Sequence, residues 1–251
     1  MNDFIAVDDR PRLEAAGLAS FDALWALQLE AVDEPNTGRG GWSSVYRLEL
    51  DGQAYYLKRQ RDHLSRSLHH PLGEPTFARE FRAIRRYQRL RIPALQAAFY
   101  GARRVNGEQR AILLTRALDG WQDLAGMLKQ WPQLDAARHA AVIRASAELA
   151  SRLHGAGQLH GCFYPKHIFL RDGADGLESC LIDLEKTRPL LFGRRDRIRD
   201  IEPLMRRASL WNGADRQLFL QTYLQLPATS PVLAEWTLRL ERHMHDKATR
   251  A

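Results

Sequence analysis

The run NTGRGG places Gly38, Gly40 and Gly41 just ahead of an alternating, strand-like segment. A glycine-rich turn between strands can bring bare backbone N–H groups against a phosphate, because the missing Cβ atoms allow both the φ values and the approach. Glycines there are also ordinary turn residues. Lys58 ends the following strand-like segment in YYLK, and Glu80 comes next among Phe77, Phe81 and Ile84. On a helix, that carboxylate could point back at Lys58 and hold the cation in place. Taken singly, each charge reads as a surface group; their order along the chain makes them worth following. A second group is His160-Gly161-Cys162-Phe163-Tyr164-Pro165-Lys166-His167, followed by an apolar strand-like run and then Leu181-Ile182-Asp183-Leu184-Glu185. His160 and Cys162 stand two residues apart on a tight loop, which does not align a thiol with a base.

The elements that must position these groups follow from periodicity. WSSVYRLEL and QAYYLKRQ alternate and meet at Asp51-Gly52, the dipeptide of a tight hairpin that needs positive φ. They predict a β-hairpin from about Trp42 to Arg59. A loop with Pro71, Gly73 and Pro75 leads into FAREFRAIRRYQRL, which has helix period and stops before Pro93. LQAAFYGARRV and QRAILLTRAL flank Asn106-Gly107 as a further strand pair. From Trp121 on the pattern is helical: WQDLAGMLKQW, then a long helix stopped at Gly155 and Gly157, and helices around 196–209, 216–224 and 232–244. KHIFLRD and SCLIDLE interrupt them as short strands. Ahead of all this, Ser20 caps FDALWALQ in what reads as an N-terminal extension. The organisation is α+β: residues 1–118 with the extension and the sheet, 119–251 mainly helical, as two lobes.

The 251 residues can bury a sizeable core, and 45% hydrophobic with 27% charged residues is an ordinary globular composition. No stretch reaches the apolar length of a spanning helix. The opening MNDFIAVDDRPRLEAAG is acidic and broken by Pro11, unlike a secretory signal, so the expected location is the cytoplasm. Cys162 and Cys180 are too few for a disulfide framework and are expected reduced. The net charge of +7 favours an anionic partner without choosing among nucleotide, membrane surface and nucleic acid. No nucleic-acid recognition motif accompanies it, so nucleic acid is not expected. The arginines of 79–91 read first as a solvated helix face.

Set against the kinase pattern G-x-G-x-x-G-x-V, Gly38, Gly40 and Val45 fall in register and Ser43 replaces the third glycine. His160 matches the histidine opening the kinase catalytic loop, His167 stands at the asparagine position, and Asp183 matches the aspartate of D-F-G. With D-L-E in place of D-F-G and PTFAREFRAI around Glu80, residues 38 to 207 resemble the bacterial lipopolysaccharide kinase family of Kdo/WaaP and InaA types, within the protein-kinase-like superfamily.

The resemblance implies a two-lobed protein-kinase-like fold with a small antiparallel-sheet N-lobe and a mainly helical C-lobe. It implies ATP and Mg²⁺ as cofactors: the glycine turn over the phosphates, Lys58 on them, Glu80 orienting Lys58, and Asp183 with His167 at the metal. Carboxylate oxygen suits Mg²⁺; imidazole is a poorer ligand and could instead contact phosphate. Asp200 looks like the aspartate that braces the catalytic loop through backbone N–H groups, or a helix-start carboxylate. The implied acceptor is a sugar of the lipopolysaccharide core or its precursor, met at the anionic inner-membrane face by peripheral contact. One departure stands out. Cys162 occupies the position of the usual catalytic aspartate, and a thiol is a poor carboxylate mimic. The enzyme could work without a side-chain base, Glu185 or a nearby histidine could take over, or the chain could be a pseudokinase-like nucleotide-binding regulator or scaffold.

Overall fold

The structure, a computed structural model, describes residues 3–67 and 70–248. It divides into two units, Met1–Arg89 with Leu95–Asp119, and Leu90–Ala94 with Gly120–Ala251.

In the first unit the chain runs β1 (Phe4–Ile5), α1 (Arg10–Ala15), α2 (Phe21–Ala26), β2 (Trp42–Leu50), β3 (Gln53–Arg61), β4 (Leu64–Ser67), β5 (His70–Pro75), α3 (Thr76–Arg89), β6 (Ala97–Val105) and β7 (Glu108–Arg116). Five strands form an antiparallel sheet in the order β1-β6-β7-β3-β2. Its two hairpins turn where the sequence predicts. Asp51 and Gly52 have φ of 45° and 70°, Asn106 and Gly107 50° and 87°, the left-handed values a two-residue turn requires. The first turn fixes the β2–β3 register so that Val45 lies opposite Lys58.

The opening residues are built into this unit. β1 pairs with β6, and Leu13, Phe21 and Leu24 are buried with Leu48, Leu57, Phe99, Ile112 and Leu114. Burying each such side chain stabilises the fold by about 1.5–3 kcal/mol. Asp9 accepts from the Tyr55 hydroxyl at 2.8 Å and from Arg116 Nε at 3.0 Å, tying the opening segment to β3 and β7. Ser20 caps α2 as expected, its Oγ accepting from Ala23 N at 3.2 Å. Residues 64–75, read as a loop from their prolines, form the two-stranded ribbon β4–β5 instead, with Leu64 opposite Pro75. A ribbon outside the main sheet tolerates proline because its outer N–H groups need no ladder partner.

The second unit contains β8 (Gln122–Asp123), α4 (Leu124–Lys129), α5 (Ala136–Gly155), β9 (Gln158–Leu159), β10 (Ile168–Gly173), β11 (Gly176–Leu181), β12 (Arg188–Pro189), α6 (Gly193–Arg207), α7 (Gly213–Leu224) and α8 (Pro231–Ala248). The helix expected from Trp121 begins only at Leu124, because the Asp123 side chain accepts from Gly126 N at 3.0 Å and caps it there. Asp135 caps α5 likewise, and Asn212 with Asp215 forms a capping box on α7. Helices α5, α6 and α7 bury Leu149, Leu153, Ile201, Leu204 and Phe219 beside Trp211. β10 and β11 form the short hairpin foreseen between the helices, in a small sheet of order β11-β10-β8. Among the described residues no helix is long and apolar enough to cross a membrane.

Candidate functional site

In the first unit the glycine run is a single 3-10 turn, Gly38–Gly40. Asn36 and Ser43 flank it and exchange backbone hydrogen bonds of 2.9 Å, so the turn closes a hairpin against the start of β2. Asn36 Oδ1 accepts from Gly38 N at 3.0 Å, and Gly40 takes a φ of 77°. Gly41 is required for another reason. A Cβ there would lie 2.2 Å from the Arg61 carbonyl oxygen, so this glycine lets the turn press on the end of β3.

Along β3, Lys58 Nζ donates to Glu80 Oε1 of α3 at 2.6 Å, with side-chain exposures of 21% and 5%. An ammonium has three donors, so Glu80 can fix the lysine and leave others for an anion. The residue that aligns this pair is Gln60. Fully buried two residues beyond Lys58, it accepts through Oε1 from Phe77 N and Thr76 Oγ1, each at 2.9 Å, and donates through Nε2 to the His63 carbonyl at 2.7 Å. One side chain thereby pins the first turn of α3 to the strand bearing Lys58. Gln60 was not singled out from the sequence; a polar residue at the inward-facing end of an alternating strand is the signal that marks it.

In the second unit the loop from His160 to His167 is held by a side chain of α6 as well as by bonds of its own. The Asp200 carboxylate on α6 accepts from His160 N at 2.8 Å and Gly161 N at 2.7 Å, and from His154 Nε2 at 3.1 Å. Burial pushes the Asp200 carboxyl up, but His154 and the backbone donors outweigh it and hold the group below the ordinary carboxylate value. Asp200 is thus the loop brace anticipated from its position. Both His160 nitrogens are occupied as well: Nε2 donates to the Ile182 carbonyl at 2.9 Å, and Nδ1 accepts from Cys162 N at 3.3 Å. Burial depresses its pKa, keeping the ring neutral.

His167 sits differently. Its Nδ1 lies 2.9 Å from the Cys162 carbonyl oxygen, which can only accept, so Nδ1 carries the proton. Burial lowers the ring's pKa, leaving Nε2 with a bare lone pair. That lone pair faces Asp183 Oδ2 at 3.2 Å. Two acceptors this close need a cation or a proton between them, and their spacing suits neighbouring positions around one divalent ion. The Asp183 oxygen suits a metal that completes its shell with phosphate oxygens and water, as Mg²⁺ does, whereas the imidazole is the poorer donor. Among the described residues no third His, Cys, Asp or Glu joins the pair to make a full protein cage. Asp183 is held at a φ of 58°, a left-handed conformation that aspartate adopts at a cost.

Cys162, within this loop, is buried. Cys162, first through electrostatics and then through a hydrogen bond to its sulfur, holds the Lys186 ammonium above its ordinary value, which puts Lys186 beside Cys162. Lys186, three residues after Asp183, also went unmarked in the sequence. Cys180 is a buried thiol pushed up to about 12 by burial, and inert.

Residues 22–223 match the model of the lipopolysaccharide kinase (Kdo/WaaP) family. The chain belongs to that family. It is 34% identical over 180 residues, covering 70% of this chain and 82% of the relative, to Protein InaA of Escherichia coli strain K12. It is also similar to a solved structure described as WaaP in complex with acyl carrier protein, with a TM-score of 0.71, 25% identity, and coverage of 98% of this chain and 99% of the other. The fold of this family member is accordingly the two-lobed kinase-like one, with an antiparallel-sheet N-lobe and a helical C-lobe. The resemblance drawn from the glycine turn, His160, His167 and Asp183 identified the family correctly.

Proposed function

We propose that this family member is an ATP- and Mg²⁺-dependent phosphotransferase that moves the γ-phosphate to a hydroxyl of a lipopolysaccharide-core sugar or its precursor. The observation that carries the reading is the pairing of His167 Nε2 with Asp183 Oδ2 at 3.2 Å, a place for a cation or a proton between the two atoms. Mg²⁺ bound there would neutralise charge on the nucleotide phosphates. Lys58, fixed by Glu80, binds phosphate, while the turn containing Gly38, Gly40 and Gly41 offers backbone N–H groups, flanked by Ser43 and Val45. Asp200 and His160 act as positioning groups that keep the loop in shape. In the transfer the bond between the γ-phosphorus and the ADP oxygen breaks as the acceptor oxygen bonds to phosphorus. The hydroxyl proton leaves to the transferred phosphate or to water, since a loose transition state asks little of a base.

A cavity of about 480 Å³ adjoins the loop through Tyr164, Pro165 and Lys166. Lys129, Lys166 and Arg207 give it three cations, with Arg207 stacked 4.1 Å over Tyr164. These cations suit an anionic acceptor.

One observation favours a second reading. The catalytic-aspartate position holds Cys162, a buried thiol with Lys186 beside it, and a pseudokinase would keep nucleotide binding without transfer. Calorimetric titration of ATP with and without Mg²⁺, alongside γ-phosphate release with core oligosaccharide, separates the two. Binding with turnover, both lost in Lys58→Met and Asp183→Asn, supports the enzyme. Binding without turnover, and transfer gained only in Cys162→Asp, establishes the pseudokinase; absence of nucleotide binding defeats both.

A further inference from the structure

Helix α6 opens with Arg194 and Arg195, and α8 carries Arg239, Arg242 and His243 at the i, i+3, i+4 spacing that puts all three on one face. The two helices bring these groups around a cavity of about 460 Å³ that Phe192 and Ile198 also line. Its described lining residues include no carboxylate. Asp196, the acid in the first turn of α6, is buried and turned back on the chain, where it accepts from Leu191 N and Phe192 N at 3.1 and 3.0 Å. Four guanidiniums around one cavity repel one another until an anion joins them.

Glu235 supplies one counter-charge from α8, engaging Arg194 at 2.6 Å and Arg239 at 2.9 Å. It holds those two side chains in place, so an incoming ligand need not order them. Arg195 and Arg242 are exposed and have no carboxylate partner among the described residues. Each offers five N–H donors in a planar fork that matches phosphate oxygens. With Glu235 set against the four arginines, positive charge remains in excess, and a single carboxylate would neutralise too little of it. Phe192 and the buried Ile198 give the cavity an apolar wall, which limits water at the guanidiniums and strengthens their pull on an anion. The volume is that of a small-molecule site, for which about 300–1,000 Å³ is usual. A concave site of this size receives a compact anion, whereas a nucleic acid asks for cations spread along a surface.

We propose that the cavity between α6 and α8 binds a soluble, multiply charged phosphate compound, with Arg195 and Arg242 as its principal ligands and Arg194 and Arg239 preset beside them by Glu235. None of these groups is assigned to nucleotide, metal or acceptor, so the site stands independently of the phosphotransfer reading.

Calorimetric titration of the full chain with inorganic pyrophosphate, in the absence of Mg²⁺, tests it. Pyrophosphate also suits the groups assigned to nucleotide, so the titration is repeated in the Lys58→Met/Asp183→Asn chain, shown to be folded by its melting curve, where binding should persist. Arg195→Ser and Arg242→Ser should each weaken that binding about tenfold, the loss of one charge-assisted contact. Added salt should weaken it further. Both arginines are exposed and without a carboxylate partner, so melting without ligand and affinity for ATP should match the parent chain in these two variants; absence of ATP binding in the parent would sink the kinase reading and leave this one intact. No pyrophosphate binding, binding that vanishes in the folded Lys58→Met/Asp183→Asn chain, or unchanged affinity in both arginine variants overturns the proposal. Two further results overturn it as well: citrate binding as tightly as pyrophosphate, which would make the cavity a general polyanion site, and retention on phosphatidylglycerol vesicles that pyrophosphate does not displace, which would assign the arginines to lipid headgroups.

Discussion

Asp200 shows how much of a site can depend on a residue that performs no chemistry. Its carboxylate satisfies two backbone N–H groups of the loop from His160 to His167 and His154, and an orphaned buried donor costs about 1–3 kcal/mol. Asp200→Ala should therefore destabilise the second unit by several such increments and abolish any transfer, whereas Asp200→Asn, which keeps one acceptor oxygen, should lose less; chemical denaturation of the two variants checks the order. His160 gives a pH dependence of defined sign. Burial puts its folded pKa below the unfolded value of about 6.5, so the unfolded chain binds more protons in that window. Its stabilisation is complete above that value and is lost as pH falls towards the folded pKa. Asp200, also depressed, adds a loss of the same sign at more acid pH. Melting temperature measured against pH should be flat above neutrality and fall in two phases, with His160→Gln shrinking the upper one, to which the depressed His167 also contributes. A melting temperature that rises on acidification through the imidazole range would contradict the neutral assignment.

At the scale of elements, β3 and α3 form the working unit, and Gln60 joins them. Gln60→Leu leaves the Phe77 N–H and the His63 carbonyl without their side-chain partner and should cost about 1–3 kcal/mol for each group. Lys58 would still be present, so weakened ATP binding in Gln60→Leu beyond the stability loss would show that register, as well as charge, serves the phosphate; unchanged affinity would confine Gln60 to packing. Legibility followed the same division. The hairpins were readable because Asp-Gly and Asn-Gly demand positive φ, and α3 because Phe77, Phe81 and Ile84 keep helix period. The β4–β5 ribbon was not, since its prolines carry the same signal in a loop as in an isolated ribbon. His167 was expected from its position, but its tautomer depends on the Cys162 carbonyl 2.9 Å away, a contact that only the folded loop creates. Gln60 and Lys186 were missed because each acts on a partner distant in pattern.

The chain as a whole treats its beginning as core. Read from the sequence, the first residues look like an extension; in the fold, Leu13, Phe21 and Leu24 sit in the same apolar cluster as Leu57 and Phe99, and Asp9 is buried against Tyr55 and Arg116. Deleting residues 1–26 should remove cooperative unfolding of the sheet unit, because each of those buried side chains contributes about 1.5–3 kcal/mol and domains are stable by only about 5–15 kcal/mol. A truncated chain with an unchanged melting curve would contradict that role. The net charge of +7, unassigned at the level of sequence, is unevenly distributed: arginines on α3 and β7 pair with Glu74 and Glu108, while Arg195 and Arg242 have no carboxylate partner among the described residues.

Gly161 sets a direction on what sequence change can achieve here. It occupies the place of arginine in the H-R-D form of the loop, at a φ of 77°, and a Cβ there would come within 2.5 Å of the Lys186 carbonyl oxygen. Cys162→Asp would supply only the aspartate of that triplet. The neighbouring glycine cannot become arginine unless the segment bearing Lys186 moves first, so no single-step route leads from this loop to the full H-R-D triplet. The loop has settled into a form that is easier to keep than to reverse.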